Sequence, residues 1–224
     1  MSVHRSIIAA GLLAVPLAAC GGGSEESEPR AARNPLLSPQ NYAATAPDTY
    51  RVRLETSAGD VLIEVRRAWA PLGADRFFNL VTGGFYDDSR IYRVVPGFMA
   101  QFGLHADPYV TQAWKSRFIV DDPVRQSNTR GRVSFAMGGV HSRTTQIFIS
   151  YGDNSALDED GFAPIGEVVA GMEVVDAFHA GYGDGPPRGD GPYQAMAEAR
   201  GNAYLDSDFP ELTRIVSAAV LPSP

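Results

Sequence analysis

The run Tyr92-Arg93-Val94-Val95-Pro96-Gly97-Phe98-Met99-Ala100-Gln101 is the densest stretch of chemistry in the chain. It sets an arginine, large apolar side chains and a glutamine close together across a Pro-Gly turn. A second stretch, Phe135-Ala136-Met137 followed by Thr145-Gln146-Ile147-Phe148-Ile149, adds another glutamine and another phenylalanine. The strand period of two puts Gln146 and Phe148 on one face. Together these residues describe an apolar pocket holding one guanidinium and two amides, with no nucleophile–base pair. His105, His141 and His179 stand in polar loop context or at a helix end, without the spacing of a nucleophile elbow, which argues against a hydrolase triad. Each residue also has a plainer reading. Phe98, Met99 and Phe148 are of the types that fill cores, and Arg93 alone would be a surface strand arginine.

The elements that must carry these side chains are mostly short strands. Tyr50, Val52 and Leu54 alternate with Arg51, Arg53 and Glu55, and after turn residues 56–60 Val61, Ile63 and Val65 alternate in the same way. Two period-two runs around a short Gly-containing loop predict a β-hairpin. Pro71 then opens a helix with Ala74, Phe77, Phe78 and Val81 along one face, and Gly83-Gly84 stops it. Further strand-like runs fall at 91–95, 98–102, 132–136, 146–150, 165–169 and 213–221, with a second short helix at 172–179. The intervals are too short or too polar for a helix between most strands, so the pattern predicts a mainly β fold, a closed antiparallel barrel capped by two helices.

Arg-Val-Val-Pro-Gly-Phe-Met-Ala-Gln at 93–101 resembles the signature of the cyclophilin-type peptidyl-prolyl isomerases. The runs Gln146-Ile147-Phe148-Ile149, Leu157-Asp158 and Gly166-Glu167-Val168-Val169-Ala170-Gly171-Met172 resemble that family's second half in the same order. The resemblance covers roughly residues 50–180. It implies an eight-stranded antiparallel barrel with a helix at each open end and a substrate groove on the outside. It also implies isomerisation of Xaa-Pro bonds in proline-containing polypeptides, without cofactor or metal. By the same resemblance Arg93 is the catalytic donor and Gln101 orients it. Val95, Phe98, Met99, Phe148 and Leu157 contact the substrate around its proline ring, while Gln146, Ala136 and Met137 hold the flanking peptide. The chain is one residue longer between Asp158 and Gly166, which puts Phe162, or alternatively Gly161, where the family has a histidine. Phe102 stands in place of a glycine, Met137 in place of a frequent asparagine, and Ala156 in place of a tryptophan that grips cyclosporin, so weak inhibition by that drug is expected. A non-catalytic chaperone or scaffold that grips proline segments is the competing reading.

At the N-terminus, His4 and Arg5 precede an apolar run over 7–17 and then Leu17-Ala18-Ala19-Cys20. The run is too short to span a bilayer and fits a secretory leader. Leu-Ala-Ala-Cys resembles the bacterial lipobox, which makes residues 1–19 a leader and Cys20 a lipid-bearing N-terminus anchored at a membrane. Residues 20–47, rich in Gly, Glu and Pro, are expected to form a flexible tether, and residues 48–224 the domain, with 181–211 a variable loop segment in which Tyr193–Arg200 has weak helical character. Gly21 after the cysteine leans toward an outer-membrane, periplasm-facing location in the cell envelope. Cys20 is the only cysteine, which excludes an intrachain disulfide, and neither CxxC nor HExxH occurs. With 19 Lys+Arg against 26 Asp+Glu and a formal charge of −7, the chain lacks the basic balance a nucleic-acid partner needs. It is expected to act as a monomer.

Overall fold

The alternation at 50–65 becomes a hairpin of β1 (Thr49–Thr56) and β2 (Gly59–Arg66) in the computed structural model, which describes residues 34–222. Tyr50, Val52 and Leu54 turn inward with Val61, Ile63 and Val65, all buried. Their neighbours face water, and Arg51 donates to Glu64, its cross-strand partner, at 3.0 Å. The other strands are β3 (Ser89–Arg90), β4 (Arg93–Val95), β5 (Met99–Phe102), β6 (Arg132–Phe135), β7 (Ile147–Ser150), β8 (Pro164–Ala170) and β9 (Arg214–Val220).

The strands form one sheet in the order β3-β9-β1-β2-β8-β6-β7-β5-β4, and every pairing is antiparallel. Its two edge strands are separated in the chain by Ile91 and Tyr92 alone, so the sheet curls until its ends are joined covalently. The fold is mainly β and cyclophilin-like as expected, with nine strands in the sheet where eight were expected, β3 being only two residues long.

Helix α1 (Pro71–Thr82) begins at Pro71 and stops at Gly83, as its sequence predicts. It buries Ala74, Phe77, Leu80 and Val81 against the sheet. Its N-cap, Ala70, has no side chain to give. Asp122 supplies the missing cap from fifty residues away, accepting from Leu72 N at 3.0 Å and Gly73 N at 2.9 Å. A carboxylate there satisfies two orphan donors and complements the helix dipole. The helix expected at 172–179 is shorter, α3 (Met172–Asp176).

Helix α2 (Pro108–Trp114) was not expected. Asp107 caps it and Pro108 occupies its first turn, a start signal present in the sequence, but seven residues are too few to show a helical period.

One domain boundary differs from expectation. Residues 34–47, assigned to the tether, are packed on the domain. Leu36 and Ala46 are buried, the Leu36 carbonyl accepts from Trp114 Nε1 at 2.9 Å, and the Tyr42 and Trp114 rings lie 5.6 Å apart. Asn79 of α1 binds Ala44 through both its amide nitrogen and oxygen. Prolines without periodicity read as linker, yet here they build two short 3-10 turns, Pro35–Leu37 and Pro39–Asn41, closed by their own backbone hydrogen bonds. The leader, Cys20 and the tether up to residue 33 lie outside the described residues.

In the segment 181–211 the helical character expected at 193–200 is found, and a second helix follows it. The two are α4 (Gln194–Arg200) and α5 (Asn202–Asp208). These helices build a small second core of Ala197, Tyr204, Leu205 and Leu212 against Tyr92 and Leu104 of the barrel wall. Asp206 fastens α5 to β3 by accepting from Arg90 at 2.7 and 2.9 Å. Among the described residues no helix is long and apolar enough to cross a membrane.

The packing of 34–47 makes a prediction. A chain starting at residue 48 loses the buried Leu36 and the Trp114 partner, so its thermal midpoint should fall by roughly 5–10 °C relative to one starting at 34. Calorimetry of the two decides it, and equal midpoints would return 34–47 to the tether.

Candidate active site

Strand register brings the arginine and the first glutamine together. The tight turn at Pro96-Gly97 closes with Phe98 N donating to Val95 O at 3.0 Å, and Gly97 sits at φ +77°, the left-handed position a type II turn requires. The turn sets Arg93 of β4 directly opposite Gln101 of β5, and Arg93 Nη1 donates to Gln101 Oε1 at 2.9 Å. One strand further, Gln101 lies opposite Phe148 of β7. Gln101 Nε2 donates to Gln146 Oε1 at 2.8 Å and to the Tyr92 hydroxyl at 2.6 Å, and Tyr92 donates in turn to Gln146 Oε1.

This network uses each group for what it can do. Gln101 spends its oxygen on the arginine and both amide hydrogens on Tyr92 and Gln146. Burial holds the Tyr92 phenol far above its ordinary range, so it stays a neutral donor and acceptor. Gln146 contributes only its oxygen, leaving its amide hydrogens for a ligand.

Arg93 has a further partner that the sequence did not reveal. Asp184 accepts from Nε at 2.7 Å and from Nη2 at 3.0 Å, and both side chains are 21% exposed. These bonds hold the Asp184 carboxyl below its usual range. Of the five guanidinium N–H groups, three are thereby engaged; Nη1 also lies 4.0 Å from Met99 Sδ, and one N–H of Nη2 remains.

Arg93, Gln101 and Gln146 line one wall of a groove of about 820 Å³. Phe98, Met99, Phe148, Leu157 and Phe162 line its apolar floor, and Ala136 and Met137 also border it, Ala136 N donating to Gln146 O at 2.9 Å. Phe148 and Phe162 meet edge to face at 5.8 Å. Phe162, not Gly161, is the residue the longer loop turns into the groove. Buried Asn128 holds that loop by donating to Asp158 Oδ1 at 2.7 Å and to Phe162 O at 2.7 Å.

Val95, expected among the substrate contacts, is not in the lining. It begins the turn, where its carbonyl is used by Phe98 and the strand has already left the groove wall. Phe102 is accommodated on the opposite face of β5, fully buried with its ring 5.5 Å from Tyr86. His105, His141 and His179 stand outside the groove. Among the described residues no group of three or more His, Cys, Asp or Glu side chains is placed to hold a metal ion.

The residues that sequence reasoning missed come from outside the motif. Tyr92 was legible only as the neighbour of Arg93. Lys115 and Phe118 after α2, and Gln194 and Glu198 of α4, add a polar end to the groove, where Lys115 Nζ lies 2.6 Å from Glu198.

What the groove can do follows from its contents. Directed N–H donors stand over an aromatic and thioether floor that excludes water. Such a site grips a small apolar ring and presents hydrogen bonds to an adjoining amide. Nothing in it is arranged for nucleophilic attack.

The comparisons with known proteins agree with this geometry. The family model described as cyclophilin type peptidyl-prolyl cis-trans isomerase matches residues 51–196. The chain is 35% identical over 140 residues to peptidyl-prolyl cis-trans isomerase A of Dickeya dadantii, covering 60% of this chain and 73% of that one. It is 34% identical over 131 residues to peptidyl-prolyl cis-trans isomerase-like 3 of Dictyostelium discoideum, covering 56% and 79%. A Cryptosporidium parvum cyclophilin type peptidyl-prolyl cis-trans isomerase, crystallised in the presence of the dipeptide Ala-Pro, shares the fold with a TM-score of 0.56 at 19% identity, covering 77% of this chain and 99% of that one. With its signature strands, its groove and its family match in accord, the chain belongs to the cyclophilin-type peptidyl-prolyl cis-trans isomerases.

Proposed function

We propose that this peptidyl-prolyl cis-trans isomerase acts on Xaa-Pro bonds of exported polypeptides, without covalent chemistry or a metal, and that Arg93 is its catalytic donor. The observation that carries the reading is the Arg93–Gln101 pair facing the apolar floor of the groove. Rotation about an Xaa-Pro bond meets a barrier of about 20 kcal/mol because amide resonance is lost in the twisted state. In that state the proline nitrogen regains a lone pair, and a hydrogen bond to it from the guanidinium favours the twisted form alone. Each 1.36 kcal/mol of such selective stabilisation is worth about tenfold in rate.

The apolar floor works in the same direction. Phe98, Met99 and Phe148 accept the proline ring and strip water from the amide, which disfavours the more polar planar form. Gln146 and the backbone at Ala136 and Met137 hold the flanking peptide.

The leader and lipobox-like residues support an envelope location. Cys20 carries the lipid, the short stalk after it holds the domain on the periplasmic side, and Gly21 favours the outer membrane. The domain works there as a monomer on proline-containing polypeptides during folding after export.

Three outcomes are expected. The full chain should speed cis–trans exchange of an Xaa-Pro peptide measured by NMR, and Arg93→Ala should lower kcat/KM about a hundredfold, the scale of removing one preorganised donor. Equal rates would sink the mechanism, and peptide binding without turnover would favour the non-catalytic chaperone. Tyr92→Phe leaves a Gln101 hydrogen without its acceptor and should reduce kcat/KM roughly three- to tenfold through a looser Gln101. A variant as fast as the parent would remove Tyr92 from the network's function. Cys20→Ser should move the protein from the membrane pellet to the soluble fraction, whereas unchanged partition would refute the lipid anchor.

A further inference from the structure

We infer that Asp184 is a positioning residue for Arg93, holding the outer edge of the guanidinium so that its free donor is presented to the substrate. The inference rests on Arg93 as the catalytic donor and extends the machinery to a residue 91 positions away. The contact is fork to fork, Nε to Oδ1 at 2.7 Å and Nη2 to Oδ2 at 3.0 Å. Bidentate charge-assisted pairs of this kind fix orientation as well as distance. Gln101 takes Nη1 from another side, so the planar group is held at two separate places.

The carboxylate stands outside the substrate path. Arg93 borders both the groove and a smaller cavity, whereas Asp184 borders only the smaller cavity, with Pro186 and Tyr193. A peptide can therefore fill the groove with the ion pair intact, which sets this arrangement apart from a plug that substrate must displace.

The chain around Asp184 is built to place it. Gly191 N donates to Asp184 O at 2.9 Å, and Gly185 N donates to Asp184 Oδ1 at 2.9 Å. At position 189 any side chain would bring its Cβ within 2.4 Å of the Asp184 carbonyl, so only glycine lets the loop close this tightly. At the start of the loop, Tyr182 packs on Phe209 at 5.0 Å and joins it to the second core. The glycines and prolines of 181–192 thus form a closed turn that delivers one carboxylate.

The physical benefit is preorganisation. An arginine side chain carries about 2 kcal/mol of rotamer entropy, which must be lost before it can direct a hydrogen bond. A carboxylate behind the guanidinium also weakens its positive field. That loss matters little for a reaction in which no net charge develops and a directed N–H is what the twisted nitrogen needs.

The charged groups facing Asp184 are Arg93 and Arg188, and Arg93 is the main cause of its lowered pKa. The folded-state pKa lies below the unfolded value, so the pairing is present at neutral pH and is lost as pH falls through the folded value.

The test uses the full chain, its Asp184→Ala and Asp184→Asn variants, and a short Xaa-Pro peptide. Asp184→Ala should lower kcat/KM about tenfold, the scale of one charged hydrogen bond, with peptide affinity by titration within about twofold of the parent. Asp184→Asn keeps one acceptor and should recover part of the loss, without the acid limb of the parent's pH profile. By ¹H–¹⁵N NMR the Arg93 Nε–H proton should exchange slowly in the parent and faster in both variants. Unchanged or faster turnover in Asp184→Ala overturns the inference, as does a loss matched by equally weakened peptide binding. A parent no faster than Arg93→Ala would instead overturn Arg93 as the catalytic donor, which the Nε–H signal does not depend on.

Discussion

An arginine at the edge of an apolar groove is the constraint around which this domain is organised. A guanidinium in such a place loses water on one side and must find protein acceptors on the other, or it would turn outward to solvent. Here Gln101 takes one nitrogen and Asp184 the other two. Gln101 can serve only because Tyr92 and Gln146 hold its amide in turn. Asp184 can serve only because a second core, built by α4 and α5, braces the loop that carries it. The hydrophobic packing of 181–211 and the polar network under β5 therefore have one common beneficiary.

Pleat and register turn that demand into a fold. Arg93 opposite Gln101, and Gln101 opposite Phe148, put a cation, an amide and an aromatic ring in a row across three strands. A slip of one residue in either pairing would send the row into the barrel interior, where Ala100 and Phe102 now sit. The bulk of Phe102 inside and the Pro-Gly turn at the end of β4 both act against such a slip.

Much of this was legible from residue order. Period-two runs located the first hairpin and the site strands, Pro71 and Gly83 bracketed α1, and the 93–101 motif carried the arginine and its amide. What stayed hidden had no local signal. Asp184 sits among glycines and prolines that read as loop, and its meaning depends on a contact spanning half the domain. Asp122 caps α1 across fifty residues, while the adjacent Ala70 offers nothing. Residues 34–47 bury single side chains against helices rather than repeating any pattern, so composition alone made them a linker. Local periodicity reports local structure; long-range polar contacts are decided by topology.

The junction of β3 with β4 has a consequence for what the domain can touch. Long open sheet edges invite other extended chains to add as a further strand. Here the edges are two and three residues long and lie next to each other in one backbone path. Extended peptides are the partners most prone to pair with a bare strand. With its sheet closed on itself, this barrel offers such chains almost no backbone to align with, and contact is channelled to side chains in the groove. The same curl that positions Arg93 thereby keeps the domain from templating aggregation.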